Sequence, residues 1–295
     1  MKILIIGSNG FMGSNFKKVL SQKYDVYGTD YTDNDGTSYL IDLTKKETIV
    51  EVLRKVRPQV IVNCAGIVEN SEKANLNPLF MKNLLDSIVD SGLKLKRIIT
   101  LGSAAEYGEV ENDNLSIGEE TPLSAKSIYG ISKIKESSVA EEFRNKYNIP
   151  IIVARIFNPI GVGMNSRNLI PLILRQIKEI QNGARESIQI TRLDSKRDYI
   201  NVKDVAIAIG CIVGGNPLHS VYNIGSGVST SNSELLGLMI KDSKLKYEPK
   251  IVETLLTKEP SVAARADISR ISSEFNWRPL STLEETVKDI IHASK

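Results

Sequence analysis

Residues 2–13, KILIIGSNGFMG, decide the fold. Four apolar residues, three of them isoleucine, run straight into glycines at 7, 10 and 13, and a segment with helical periodicity follows. That order predicts a buried strand, a tight turn and a helix. The G-x-x-G-x-x-G spacing lets bare backbone N–H groups approach an anion at the helix N-terminus, which is how a pyrophosphate is cradled. An ordinary glycine-rich strand–helix turn reads the same way from the glycines alone. Position on the first strand favours the cofactor reading, in which Gly7, Asn9, Gly10, Phe11, Met12 and Gly13 all contact the dinucleotide.

Outward from this stretch, short β-branched runs at 25–28, 38–41, 60–63, 97–101 and 151–155 alternate with helical patterns. Strands alternating with helices build a parallel sheet covered on both faces. A helix is expected from Thr44, where Thr44 and Glu47 have capping-box spacing, and it stops before Pro58. Others are expected over 75–91 and 127–146. After about Gly163 the rhythm changes: a helix entered at Pro171 ends at Gly183, and capping boxes at Ser231 with Glu234 and at Ser281 with Glu284 place further helices. The stretches 199–213 and 221–224 are expected to return to the main sheet. The class is therefore α/β: a Rossmann-type doubly wound parallel sheet with a smaller C-terminal α/β lobe. Residues 1–163 are the expected dinucleotide-binding domain, with 198–226 returning to it, and 164–295 the expected substrate-binding lobe.

The whole chain has 295 residues, 41% of them apolar, enough for a large α/β unit without disulfide support. Lys and Arg number 38 against 35 Asp and Glu, and the net +3 is spread along the chain, so no nucleic-acid partner is expected. Two cysteines, Cys64 and Cys211, in apolar contexts imply reduced thiols and a cytoplasmic protein. The run before Gly7 is too short for a signal peptide, and the longest weakly polar stretch, 205–215, falls short of the ~18 residues of a membrane span. His219 and His292 lack metal-ligand spacing, so no metal is expected.

Chemistry is expected at the carboxyl ends of the strands, where open α/β sheets bind ligands. The second strand ends at Asp30, placed to accept hydrogen bonds from adenosine ribose hydroxyls. The stretch 30–35, DYTDND, holds three carboxylates and no basic residue, which disfavours a ribose 2′-phosphate and favours NAD over NADP. Asp42 and Leu43 follow the next strand, where Asp42 either accepts from the adenine amino group or merely opens a helix. Cys64, Ala65 and Gly66 put small residues where a cofactor would lie. Tyr129 and Lys133, four apart on one helix face, share that edge with Ser103.

In that order the segments GSNGFMG (7–13), Asp42-Leu43, NCAG (63–66), GSAAEYG (102–108), YGISK (129–133), ARIFNPIG (154–161) and KRDYINVKDV (196–205) resemble the extended short-chain dehydrogenase/reductase family of nucleotide-sugar epimerases, dehydratases and reductases. The resemblance covers nearly the whole chain. It implies that Tyr129 protonates the carbonyl oxygen as hydride arrives, that Lys133 binds the nicotinamide ribose, and that Ser103, beside Ala104, hydrogen-bonds the substrate oxygen. An unperturbed phenol titrates near ~10, so poising one near 7 takes roughly 4 kcal/mol of preferential phenolate stabilisation. The Lys133 charge has the right sign. Asn158 and Arg197 match positions at the nucleotide-sugar site, the guanidinium suiting phosphate oxygens. Asn158-Pro159 is also a good turn, and Arg197 has Asp194 and Asp198 near it for a surface pair. Related epimerases carry a further phosphate-binding Arg near the C-terminus, where this chain offers Lys258 and Arg265.

Dehydratases of the family place acids two and three residues before the strand-end Tyr; here those positions, before Tyr107, are Ala105 and Ala104. Glu106 is turned away if strand alternation continues. What remains is a 4-ketoreductase acting on a nucleotide-activated 4-keto-6-deoxy sugar, a nucleotide-sugar 4-epimerase with retained NAD, or, from another class, a dinucleotide sensor without catalysis. The family wording favours the reductase. It also implies a homodimer through the helices 75–91 and 127–146.

Overall fold

The computed structural model describes residues 1–32, 38–108, 116–164, 168–254 and 264–294. Seven strands form one parallel sheet: β1 (Lys2–Ile6), β2 (Asp25–Asp30), β3 (Ser38–Leu40), β4 (Val60–Asn63), β5 (Arg97–Ser103), β6 (Ile151–Ile156) and β7 (Val221–Ile224). Their spatial order is β3-β2-β1-β4-β5-β6-β7, which reverses direction between β1 and β4. That reversal is the point where a doubly wound sheet opens a crevice.

Alternation along each strand sends side chains to opposite faces, and both faces are apolar. Ile3, Ile5, Val60, Val62 and Ile152 pack with α1 (Phe11–Leu20) and, later in the chain, the helix Val202–Gly214. Leu4, Ile6, Ile61, Ile98 and Val153 pack under α2 (Lys46–Val56), α3 (Asn77–Ser91) and α4 (Ile128–Tyr147). A separate apolar cluster lies among α5 (Leu169–Gln181), α7 (Asn232–Ser243) and α9 (Leu283–Ala293), α6 being Val202–Gly214 and α8 Ser269–Phe275. A small fourth cluster of Tyr107, Ile117, Phe157 and Ala266 sits at the carboxyl side of the sheet.

Several local expectations change. The Thr44–Glu47 box does not form: Asp42 takes both the Thr44 N–H and hydroxyl, and α2 starts at Lys46 without a side-chain cap. The final box is Thr282 with Glu285, one residue beyond the expected pair, and the Ser281 N–H is bound by Asp204 instead. The Ser231–Glu234 box is present. The stretch 199–213 adds no strand to the main sheet; after a two-residue ladder, Ile200–Asn201 beside Pro159–Ile160, it becomes α6 on the sheet's face. The strand 221–224 joins the sheet beside β6 as expected. Glu106 is not in a strand: Ala104–Glu106 is a 3₁₀ turn. No helix among the described residues is long and apolar enough to cross a membrane.

Candidate active site

The glycine loop leaves β1 at Gly7, whose φ of +77° is open to glycine at little cost. A Cβ there would sit 2.9 Å from the Ala65 nitrogen, and one at Gly13 would sit 2.1 Å from the Gly7 carbonyl oxygen. The loop is thus drawn tight against the segment after β4. Helix α1 begins beyond Gly10 with no side-chain cap and no acidic residue in its first turn. Its leading N–H groups, which lack intrahelical acceptors, form a cradle for an anion. A dinucleotide fits this loop: the glycines clear its path and the helix end supplies the donors.

Asp30, at the end of β2, accepts from the Asn9 N–H at 2.9 Å and from the Tyr31 N–H at 2.8 Å, one bond on each oxygen. Each carboxylate oxygen keeps a second lone pair. The Asn9 amide is fixed by the Ser38 hydroxyl and the Thr32 carbonyl, so the loop and the ends of β2 and β3 form one unit. Asp33, Asn34 and Asp35 lie outside the described residues. Asp42 is spent on its turn: the Thr44 hydroxyl and N–H hold its carboxyl below the usual range, and Lys45 approaches to 3.5 Å. The neighbouring Leu43 is buried. The Asp42 contacts open the helix that follows, and both Thr44 bonds fall on Oδ1.

After β4, the Ala65 N–H donates to Asn63 Oδ1 at 3.3 Å, and burial pushes the Cys64 thiol far above its ordinary value. Cys64 packs against the apolar cluster beneath α1 and is partly buried. Asn77, at the start of α3, clasps Ile67 through both its N–H and its carbonyl, and donates to Ser132 on α4. The small-residue segment and the helix carrying Tyr129 and Lys133 are tied together by this buried amide.

Ser103 ends β5 in register with Ile156 of β6, which is itself in register with Ile224 of β7, so three strand ends lie side by side. The Ser103 Oγ accepts from the Ala105 N–H at 3.2 Å, which leaves its own proton to donate outward. Glu106 returns the capping interaction on the Ser103 N–H at 2.7 Å. Helix α4 is capped by Ser127 and pressed against this turn: a Cβ on Gly130 would lie 2.5 Å from the Ala105 carbonyl oxygen. Tyr129 is thereby brought to the edge where Ser103 ends, half-buried, its N–H donating to Asn70. Lys133 follows one turn later with its ammonium inside the protein, 2.5 Å from Glu136 Oε2. Burial works to strip the Lys133 proton, and the Glu136 charge, helped by Tyr129, outweighs it and raises the affinity for the proton.

Asn158 and Arg197 are joined through Asp198. Asn158 Nδ2 donates to the Asp198 carbonyl at 3.1 Å, and the buried Asp198 carboxylate accepts from Ser226 N and Oγ, Gly227 N and Ala266 N. The Asp198 carboxylate is thus satisfied by hydroxyl and amide donors, and among the described residues no ion pair to Arg197 forms. Arg197 is exposed, with Nη1 on the Lys196 carbonyl, and Asp194 lies within ion-pair reach of Arg192. Arg265 is exposed beside Ala266; Lys258 lies outside the described residues.

Residues 3–225 match the NAD dependent epimerase/dehydratase family. The chain belongs to that family. A GDP-6-deoxy-D-talose 4-dehydrogenase of Aggregatibacter actinomycetemcomitans is 29% identical over 259 residues, covering 85% of this chain and 83% of that protein. A UDP-glucose 4-epimerase of Mycoplasma genitalium is 24% identical over 328 residues, covering 98% and 94%. The solved structure of RMD from Pseudomonas aeruginosa complexed with NADPH superimposes with a TM-score of 0.88 at 22% identity, over 99% of this chain and 98% of that one. The shared fold extends across both the sheet and the C-terminal part of this chain.

Asn77 and Glu136 escape sequence reasoning, and Glu106 and Asp198 take buried partners other than those it suggests. Glu106 is wholly buried and takes the Ser103 N–H, the Ser137 hydroxyl and the Arg155 guanidinium. Arg155 also reaches the Tyr107 hydroxyl, which donates to Asn223. The only advance signal is polarity inside apolar runs, such as Arg155 in IIVARIF, since a charge there needs a buried partner.

Proposed function

We propose that this chain is an NAD(P)H-dependent 4-ketoreductase for a nucleotide-activated 4-keto-6-deoxy sugar. The observation that carries the reading is the meeting of Ser103 and the Tyr129–Lys133 helix at one strand edge, beside a glycine cradle built on β1. A bound reduced nicotinamide supplies the hydride. Tyr129 gives its proton to the oxygen that would otherwise become an alkoxide. The Ser103 hydroxyl, its lone pair taken by Ala105, donates to the same oxygen and fixes the carbonyl's direction. Lys133 has two ammonium donors beyond the one on Glu136, and these serve the nicotinamide ribose.

The nature of the acid set supports reduction over dehydration. Elimination of water needs an acid and a base close to Tyr107, where the chain has Ala104 and Ala105, and the Glu106 carboxylate is sealed by three partners. The likeness to a GDP-6-deoxy-D-talose 4-dehydrogenase supports a 4-keto deoxysugar. Arg197 and Arg265 serve the diphosphate, with Asn158 holding the backbone that presents Arg197. Asp30 favours NADH through its two open lone pairs. Free Cys64 and Cys211 suit a reducing, cytoplasmic setting.

The test is incubation with NADH or NADPH and a panel of nucleotide-4-keto-6-deoxyhexoses, watching cofactor absorbance. Stoichiometric oxidation is expected, and Tyr129→Phe lowers turnover by about 10²–10⁴-fold while cofactor affinity stays within a few-fold. Silence across the panel overturns the reading. The likeness to a UDP-glucose 4-epimerase supports a second reading, in which the cofactor stays bound through turnover. Denaturing the purified protein separates the two: released NAD in a one-to-one ratio favours the epimerase.

A further inference from the structure

We propose that Glu136 is a positioning residue of the reaction: its carboxylate keeps the buried Lys133 ammonium protonated and in place, and so sets the alkaline limit of activity. The proposal rests on the catalytic reading of Tyr129 and Lys133 given above. Lys133 and Glu136 side chains are only 7% and 4% exposed, and Nζ lies 2.5 Å from Oε2. An isolated ammonium so far from water would give up its proton several units below the usual lysine value. A carboxylate at this distance reverses that preference, and removing one partner of a buried pair leaves the other uncompensated.

The Glu136 carboxylate is itself aimed. The Thr100 hydroxyl of β5 donates to Oε1 at 3.2 Å, and Asn63 Nδ2 at the end of β4 donates to Thr100 Oγ1 at 3.4 Å. Asn63 Oδ1 accepts the Ala65 N–H, so a continuous polar chain runs from the cofactor-side segment through Asn63, Thr100 and Glu136 to Lys133. Every donor in this chain has a distinct acceptor, which fixes the carboxylate in one orientation. The other titratable groups facing the pair are Tyr129 on the same helix and Glu106 from the turn after β5. The Glu106 charge is matched by Arg155 of β6 at 3.2 Å, which leaves Glu136 as the counter-ion of Lys133.

The experiment follows the Lys133 side chain directly, by NMR of protein labelled at lysine Cε, the Lys133 signal being the one lost in Lys133→Met. In Glu136→Gln the titration midpoint of Lys133 is expected to fall by at least about one pH unit, a tenfold loss in proton affinity. Glu136→Asp, which keeps the charge but draws it back by one methylene, gives a midpoint between the two. The alkaline limb of the kcat profile moves to lower pH in the same order, because reduction needs the charged lysine beside a protonated phenol. An unmoved midpoint in Glu136→Gln, or a lowered plateau with the limb in place, overturns the proposal. If Glu136→Gln does not fold, a wild-type midpoint in Glu136→Asp overturns it equally. A displaced midpoint with no turnover on any sugar leaves the Glu136 assignment standing and sinks the ketoreductase reading; turnover with an unmoved midpoint does the reverse.

Discussion

Asp30 illustrates how one side chain carries two duties at the residue scale. It anchors the glycine loop through the Asn9 N–H and keeps acceptor capacity for ribose hydroxyls. Asp30→Asn retains the shape but exchanges half of its acceptors for donors, so NADH is expected to lose about tenfold in kcat/KM relative to NADPH. Parallel kinetics with the two cofactors check this; an unchanged ratio removes Asp30 from the cofactor site. The tight turn through glycines 7, 10 and 13 and the shared helix of Tyr129 and Lys133 were legible in the sequence because each follows from fixed local spacing. Glu106, Glu136 and Asp198 were not, because a carboxylate's role depends on which partners the tertiary fold brings to it. Asp42 shows a local use of the same chemistry: Thr44, two residues away, donates twice to its Oδ1.

At the scale of elements, helix ends explain both what was foreseen and what shifted. Ser231 with Glu234 forms as the pattern requires, whereas near the C-terminus Ser281-x-x-Glu284 and Thr282-x-x-Glu285 satisfy the same rule. The tie is broken in three dimensions, where Asp204 of α6 captures the Ser281 N–H and leaves Thr282 to cap α9. Thr282→Ala is therefore expected to cost about 1 kcal/mol in denaturant unfolding, and Ser281→Ala only a few tenths. Equal losses would refute the assignment of the cap. The strands of the main sheet were legible to within two residues, since most are short apolar runs ended by turn chemistry, whereas the pair Ser187–Ile190 and Lys250–Glu253 was not foreseen. A further exception was 199–213, where the apolar richness that suggested a strand belongs to α6, a helix buried against the sheet.

At the scale of the molecule, helices α3 and α4 pack on each other and still expose apolar side chains, among them Leu79, Ile131 and Tyr147. Covering them with a second copy is the arrangement the family resemblance implies. Light scattering is expected to give twice the chain's mass, with Leu79→Glu combined with Ile131→Glu shifting it toward the monomer; a monomeric wild type ends this reading. The parallel sheet could be anticipated from alternating strands and helices, but the contacts of the C-terminal segment with it could not, because they join residues far apart in the chain, apolar ones such as Ile271 and Trp277 and polar ones such as Asp198.

Asp198 is the clearest of these. Its carboxylate gathers amides from the turn after β7 and from Ala266, and its carbonyl is held from the turn after β6. Swinging the segment around Ala266 away would strip a desolvated anion of one of its donors, the Ala266 amide. The amides of Ser226, Gly227 and Ala266 should therefore exchange with deuterium as slowly as those of the central strands. On the proposed reading, a seam riveted in this way would admit a substrate as a slot admits a key, so tolerance for differently shaped sugars would come from the side chains around it and from no wider opening of the jaws.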